Sequence, residues 1–212
     1  MIRKYEWVCF EDGLDEDACD KIIRLAEDKL EKVSDEEETH DRPLENLEDP
    51  KKTDIVWTDE QWIYDAVWPS MAQANKEAGW KYEINSAETF QIARYKKGMF
   101  YDWHADGKGD HFSAYDTPTN KLTHGRTRKL TMGLLLNDDF EGGEFQIVKY
   151  DHLKPLMRET WVDRVPDNHI STVDLKKGSI VMFPSDMYHR VKPVTKGIRY
   201  TITLWFLGPP YV

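Results

Sequence analysis

About a third of the way along, the chain changes its hydrophobic rhythm. From Leu14 to Val33, "LDEDACDKIIRLAEDKLEKV", apolar residues at Ala18, Ile22, Leu25, Ala26 and Leu30 recur at helical spacing. Asp15 stands where it can cap the first turn, and acidic residues follow it where a helix N-terminus favours them. A second helix is predicted from Asp59 to Ala78, with Trp62, Ala66, Val67, Met71 and Ala74 as its buried stripe. Pro69 falls inside it and predicts a bend. Between the helices, residues 34–52, "SDEEETHDRPLENLEDPKK", are acidic and contain proline, so they read as a solvated loop.

After Gly79 the pattern shortens to strands and turns. "KYEINS", "ETFQIARYKK", "FYDWHAD", "KLTMGLLLN", "GEFQIVKY", "ISTVDL", "GSIVMFPS", "HRVKPV" and "RYTITLWFLG" read as strands, with "DDFEGG" as a turn. Two helices followed by roughly eight strands, with no regular helix between them, point to an α+β fold whose core is mainly β. The economical closure is a double-sheet barrel of jelly-roll or cupin type, with the N-terminal helices packed on one sheet. The whole chain, 1–212, reads as one domain, with 1–80 as helical support and 81–212 as the β core. Two aperiodic stretches, 110–126 and 150–169, are long enough to rim a barrel mouth.

Composition narrows the chemistry. A net charge of −10 argues against a nucleic-acid partner, which needs a basic face. Cys9 and Cys19 are too few for a disulfide framework and read as reduced thiols of a cytoplasmic protein. The N-terminus lacks the apolar run of a signal peptide, and no stretch approaches the roughly 18 apolar residues of a membrane span. No membrane association is expected.

His104 and Asp106, in "YDWHADG", are metal-ligand types separated by a single alanine. On a strand they share a face about 7 Å apart and can converge on one ion. Taken alone, the pair is also what a hydrogen-bonded surface turn offers. His189, just beyond the Pro-Ser-Asp turn that ends "GSIVMFPSDMY", is the best third ligand. Two histidines and a carboxylate form the facial set associated with non-haem Fe(II), which leaves coordination positions open. A structural zinc would close its fourth position with another Cys or His, and none stands at a convincing spacing. The remaining histidines, His40, His111, His124, His152 and His169, lie mainly in predicted loops.

In the last strand Arg199, Thr201, Thr203 and Trp205 share one face, while Tyr200, Ile202, Leu204 and Phe206 share the other. The second face suits packing under the helices. The first would bury a guanidinium, and a buried charge needs a partner. That partner is either a protein carboxylate or an anionic ligand matched to the guanidinium fork. A small 2-oxo diacid such as 2-oxoglutarate could chelate the metal at one end and meet Arg199 at the other.

At this point "RYKKGMFYDWHADG", "RKLTMGLLLNDDFEGGEF" and "GSIVMFPSDMYHRVKPVTKGIRYTITLWF" resemble Fe(II)/2-oxoglutarate-dependent oxygenases of the prolyl-4-hydroxylase-like branch, above all the bacterial PKHD-type hydroxylases. The resemblance covers about Thr89 to Pro209 and keeps one order: the His-x-Asp pair, the Gly-Gly-Glu turn, the distal histidine, then an arginine ten residues later. It implies a double-stranded β-helix with Fe(II) on His104, Asp106 and His189. It also implies that Arg199 meets the far carboxylate of 2-oxoglutarate, with Thr201 as its hydroxyl partner. Tyr95 matches a tyrosine that often contacts this cosubstrate, and a core tyrosine would look the same. Gly142 and Gly143 match a turn required for backbone conformation.

The implied reaction is hydroxylation of a C–H bond by dioxygen, with succinate and carbon dioxide as co-products and ascorbate as reductant. Relatives that halogenate lack the carboxylate that Asp106 supplies. The implied substrate is an amino-acid residue of a protein or peptide, or a free amino acid, with proline as one candidate. Arg94, Tyr101, Trp103 and Arg190 are further cleft candidates, each of which could equally be packing or surface residues. Two other readings stay open: a cupin-like protein that binds a metal or small acid without turnover, and a zinc hydrolase with Glu144 as its acid/base.

Overall fold

The computed structural model describes residues 5–37, 51–107, 113–149 and 166–211. In chain order these are β1 (Val8–Phe10), α1 (Glu16–Glu37), β2 (Lys51–Lys52), β3 (Asp54–Thr58), α2 (Gln61–Glu77), β4 (Ser86–Ala87), β5 (Phe90–Tyr95) and β6 (Phe100–His104). There follow β7 (Thr127–Leu135), β8 (Glu141–Gly142), β9 (Phe145–Val148), β10 (Ile170–Val173), β11 (Ile180–Pro184), β12 (His189–Val191), β13 (Val194–Lys196) and β14 (Arg199–Gly208).

Two antiparallel sheets carry the architecture. The larger runs β1-β11-β7-β14-β5-β3, with β4 also on β14, and the smaller runs β10-β9-β12-β6-β2. A short β13-β8 pair closes one corner. Ala93, Tyr95, Val181 and Phe183 of the larger sheet pack against Phe145, Ile147, Val148 and Val191 of the smaller. The helices cover the opposite face of the larger sheet, where Ile22, Ala26, Ile63, Val67 and Met71 meet Leu130, Met132, Leu134, Ile202 and Leu204. This is the double-sheet jelly roll with helices on one sheet that the hydrophobic pattern predicts.

Local chemistry explains the helix ends and faces. Asp15 caps α1 by accepting a hydrogen bond from the Ala18 N–H on Oδ1 at 2.8 Å. The helix starts two residues later than expected and continues to Glu37, into the segment read as loop. Helix α2 runs unbroken past Pro69 and buries Ile63, Val67, Met71 and Ala74. Ala66, expected in that stripe, is exposed, and Ile63 takes its place. Parts of the expected loops, residues 38–50, 110–112 and 150–165, lie outside the described residues.

Three strands occur before residue 80, where the sequence pattern predicts only helices and loop. β1 and β3 form the two edges of the larger sheet, β3 pairing with β5 from Asp54↔Arg94 to Thr58↔Phe90. Conversely, "KYEINS" forms only the two-residue β4, shared with Ala87. The reason is Asn75: its Oδ1 accepts from the Tyr82 N–H at 2.9 Å and its Nδ2 donates to the Tyr82 carbonyl at 2.8 Å. The Tyr82 backbone is thus satisfied without a neighbouring strand.

Among the described residues no helix is long and apolar enough to cross a membrane. Ile202 is fully buried at the centre of β14, between the sheet and the helices. Ile202→Ala should therefore lower stability by about 2–5 kcal/mol, measured by urea unfolding.

Candidate metal and anion site

The pairing of β6 with β12 sets His104 directly opposite His189. The His104 Nδ1 lies 2.7 Å from the Asp102 carbonyl, and the His189 Nδ1 lies 3.0 Å from that of Met187. Each carbonyl can only accept, so each Nδ1 carries a proton, which leaves Nε2 as the nitrogen a metal would use. Both Nε2 atoms face Asp106. Its Oδ1 is 3.5 Å from His104 Nε2 and its Oδ2 is 3.5 Å from His189 Nε2. One ligand atom from each of the three residues lies within 4.8 Å of the others, an arrangement that can hold one metal ion. Tyr101 stacks on the His104 ring at 3.5 Å and 14°, and Phe183 meets the His189 ring edge-on at 4.7 Å.

Asp106 lies beyond the end of β6, so the ladder alone does not place it. Its N–H donates to the Ser185 carbonyl at 2.9 Å. Thr131 Oγ1 donates to its Oδ2 at 2.8 Å, and Arg128 Nη1 donates to its carbonyl at 2.9 Å. Burial would push this carboxyl up. His189, His104, Arg128 and the Thr131 hydroxyl outweigh it and hold the carboxyl below the ordinary range.

A cavity between the sheets joins this group to Tyr95, Thr201 and Arg199. Arg199, at the start of β14, is only 3 % exposed, and its Nε and Nη1 have no hydrogen-bond partner among the described residues. Burial pushes the guanidinium down to about 10, against the opposing influence of Tyr95. The Tyr95 ring lies 5.5 Å from the Arg199 Cζ, and burial pushes its phenol up although Arg199 pulls it down. A buried cation without a carboxylate is costly, so this end of the cavity suits an anion.

The Gly-Gly turn braces the arginine. Gly142 and Gly143 have φ of +74° and +67°. A Cβ on Gly142 would meet the Pro193 carbonyl oxygen at 2.5 Å, and one on Gly143 would meet the Arg199 Cδ at 2.8 Å. Glycine is required twice over, by dihedral and by space.

Several expected cleft residues are elsewhere. Arg94 points to the helix side, where it bonds Glu27 at 2.9 Å and Asp54 at 2.8 Å. Its neighbours Ala93 and Tyr95 take the cavity side, as strand alternation requires. Tyr101 does line the cavity. Arg190 and Trp103 do not; the guanidinium lies 4.5 Å over the indole and also bonds Gln146. Glu144 is exposed and pairs with Lys192 at 3.4 Å, so it offers the triad no acid/base carboxylate.

Sequence reasoning missed Thr131, Arg128, Glu88 and Ser185. A threonine inside the apolar run "KLTMGLLL" was the one available signal, since polarity on a buried face asks for a partner.

A jelly roll with this His-Asp-His group and a buried arginine defines the class, and comparison with known proteins is consistent with it. Residues 90–207 match the 2OG-Fe(II) oxygenase superfamily, and the chain belongs to that family. Among curated relatives, a PKHD-type hydroxylase of Idiomarina loihiensis is 33% identical over 115 residues, covering 54% of this chain and 39% of the relative. Another PKHD-type hydroxylase, from Janthinobacterium sp., is 27% identical over 112 residues, covering 53% and 40%. The match thus spans about 40% of the length of these relatives.

Solved structures share the fold at low identity. The viral collagen prolyl hydroxylase of Paramecium bursaria Chlorella virus-1, solved with 2OG, superposes with a TM-score of 0.62 at 16% identity, covering 96% of this chain and 97% of that one. A Trichoplax adhaerens prolyl hydroxylase, solved with a hypoxia inducible factor peptide fragment, gives 0.59 at 18% identity, covering 95% and 83%.

Gly143→Ala should lower stability by about 1–2 kcal/mol in urea unfolding, because a side chain at this dihedral is strained before any clash with Arg199 is counted.

Proposed function

We propose that this protein is an Fe(II)- and 2-oxoglutarate-dependent dioxygenase that hydroxylates a C–H bond of an amino-acid residue in a protein or peptide. The observation that carries the reading is the buried Arg199, which lacks a carboxylate partner among the described residues and shares one cavity with the His104–Asp106–His189 group. In this reading the two Nε2 lone pairs and the Asp106 carboxylate hold Fe(II). Arg199, with Thr201 and Tyr95 beside it, receives the far carboxylate of 2-oxoglutarate. Bound iron supplies dioxygen activation coupled to the oxidative decarboxylation of 2-oxoglutarate to succinate and carbon dioxide.

The protein's own contribution is orientation and exclusion of water. The carbonyls of Asp102 and Met187 set both imidazole tautomers. Thr131 occupies one lone pair of Asp106 Oδ2. Apolar walls around the cavity, among them Leu135, Phe145 and Val191, strengthen the pairing of Arg199 with a carboxylate. A prolyl residue is the favoured target, supported by the prolyl hydroxylases that share the fold and by the peptide bound to one of them. We place the protein in the cytoplasm, in keeping with its free Cys9 and Cys19, and assign ascorbate as the reductant.

Anaerobic addition of Fe(II) and 2-oxoglutarate should give a weak visible charge-transfer band. His104→Ala should abolish it. Arg199→Ala should weaken 2-oxoglutarate binding about 30-fold or more, as expected when one member of a buried charge pair is lost. Arg94→Ala should leave the titration unchanged. An unaltered band in His104→Ala would sink the metal assignment. A protein that binds both ligands yet releases no succinate under oxygen would be a binding module instead.

A further inference from the structure

Beside the metal group lies a second polar cluster that the reaction outlined above does not use. Glu88 accepts two hydrogen bonds from Arg128, from Nε at 2.6 Å and from Nη2 at 2.7 Å. The pair is largely buried, with side chains 14% and 18% exposed. Glu88 is anchored independently: its N–H donates to the Trp205 carbonyl at 3.0 Å and its carbonyl accepts from Tyr64 of α2 at 2.8 Å. From the 113–126 loop, the Tyr115 hydroxyl adds a bond to Glu88 Oε1 at 3.1 Å. The Arg128 guanidinium also lies 3.9 Å over the Trp205 ring, which lines the cavity.

With Nε and Nη2 engaged by Glu88, the remaining nitrogen, Nη1, reaches the Asp106 carbonyl at 2.9 Å. That contact matters because Asp106 has left the β6 ladder. Its backbone is held by two hydrogen bonds from different strands' ends, N–H to Ser185 and carbonyl from Arg128. Without the second, the peptide that follows Asp106 loses its side-chain anchor, and the carboxylate is left to the Ser185 and Thr131 bonds alone. Only a planar fork bonds a carboxylate with two nitrogens and a carbonyl with the third, so lysine cannot reproduce it.

We infer that Arg128 is a positioning residue for the metal centre: clamped by Glu88 and stacked on Trp205, it fixes the Asp106 backbone so that the carboxylate faces His104 and His189. This rests on the reading that those three residues bind the metal. It also makes the 113–126 loop, through Tyr115 and Glu88, part of what holds the metal ligand in place.

Co(II), titrated anaerobically into the full chain and followed by its visible absorption, separates positioning from mere stability. Arg128→Lys should weaken Co(II) binding about 10- to 100-fold, the range typical of outer partners of metal ligands, and change the band shape. Glu88→Gln should weaken it in the same direction by a smaller factor, and Tyr115→Phe by less again. Thermal unfolding without metal reports stability separately. If Arg128→Lys and Glu88→Gln bind Co(II) within about twofold of wild type, whatever their stability, the inference is overturned. Should Arg128→Lys fail to fold, Glu88→Gln decides alone by the same criterion. His104→Ala serves as the control: loss of Co(II) binding there supports the triad, whereas retention overturns the triad reading and the inference built on it.

Discussion

β14 is covered on both faces, and its period of two decides what each face must do. Tyr200, Ile202, Leu204 and Phe206 face the helices and belong to the larger core. Arg199, Thr201, Thr203 and Trp205 face the other sheet and line the cavity. Slipping the register by one residue would place a guanidinium under the helices and a phenylalanine in the cavity, losing core and site together. The strand's neighbours share the constraint: Leu134 and Met132 of β7 pack outward, while Thr131 and Leu135 turn inward.

Three arginines show how environment assigns roles to one residue type. Arg94 is neutralised by Glu27 and Asp54, tying β5 to α1 and β3. Arg128 is neutralised by Glu88 and retains one donor for the Asp106 carbonyl. Arg199 has the aromatic rings of Tyr95 and Phe140 nearby and, among the described residues, no carboxylate bonded to its Nε or Nη1. The first two are structural in the ordinary sense that burial is offset by a partner already in the chain. In the proposed reading, the third receives its partner from outside the chain.

The parts of the site legible in sequence were those with short-range grammar. His104 and Asp106 are separated by a single residue, and Arg199 opens a strand whose alternation is unbroken from Arg199 to Phe206. The same grammar, applied to β5, would have excluded Arg94 from the cleft, because it adjoins Tyr95 and must take the opposite face. Glu88 and Arg128 had no such signal: they are forty residues apart and meet only once β4, β5 and β7 gather around β14. β1 and β3 were invisible for another reason. Strands of three and five residues hold too few alternations to register, and they form because the larger sheet offers open edges.

In the proposed reading, the Arg199 guanidinium has a thermodynamic consequence for the chain as a whole. A small diacid that paired with Arg199 would bind the folded protein and would have no comparable site on the unfolded chain. At about a hundredfold excess over its dissociation constant, such a ligand adds about 2.7 kcal/mol to folding stability. The fold would then be buffered by the supply of a metabolite, and its lifetime would follow the concentration of that acid as well as the contacts within the protein.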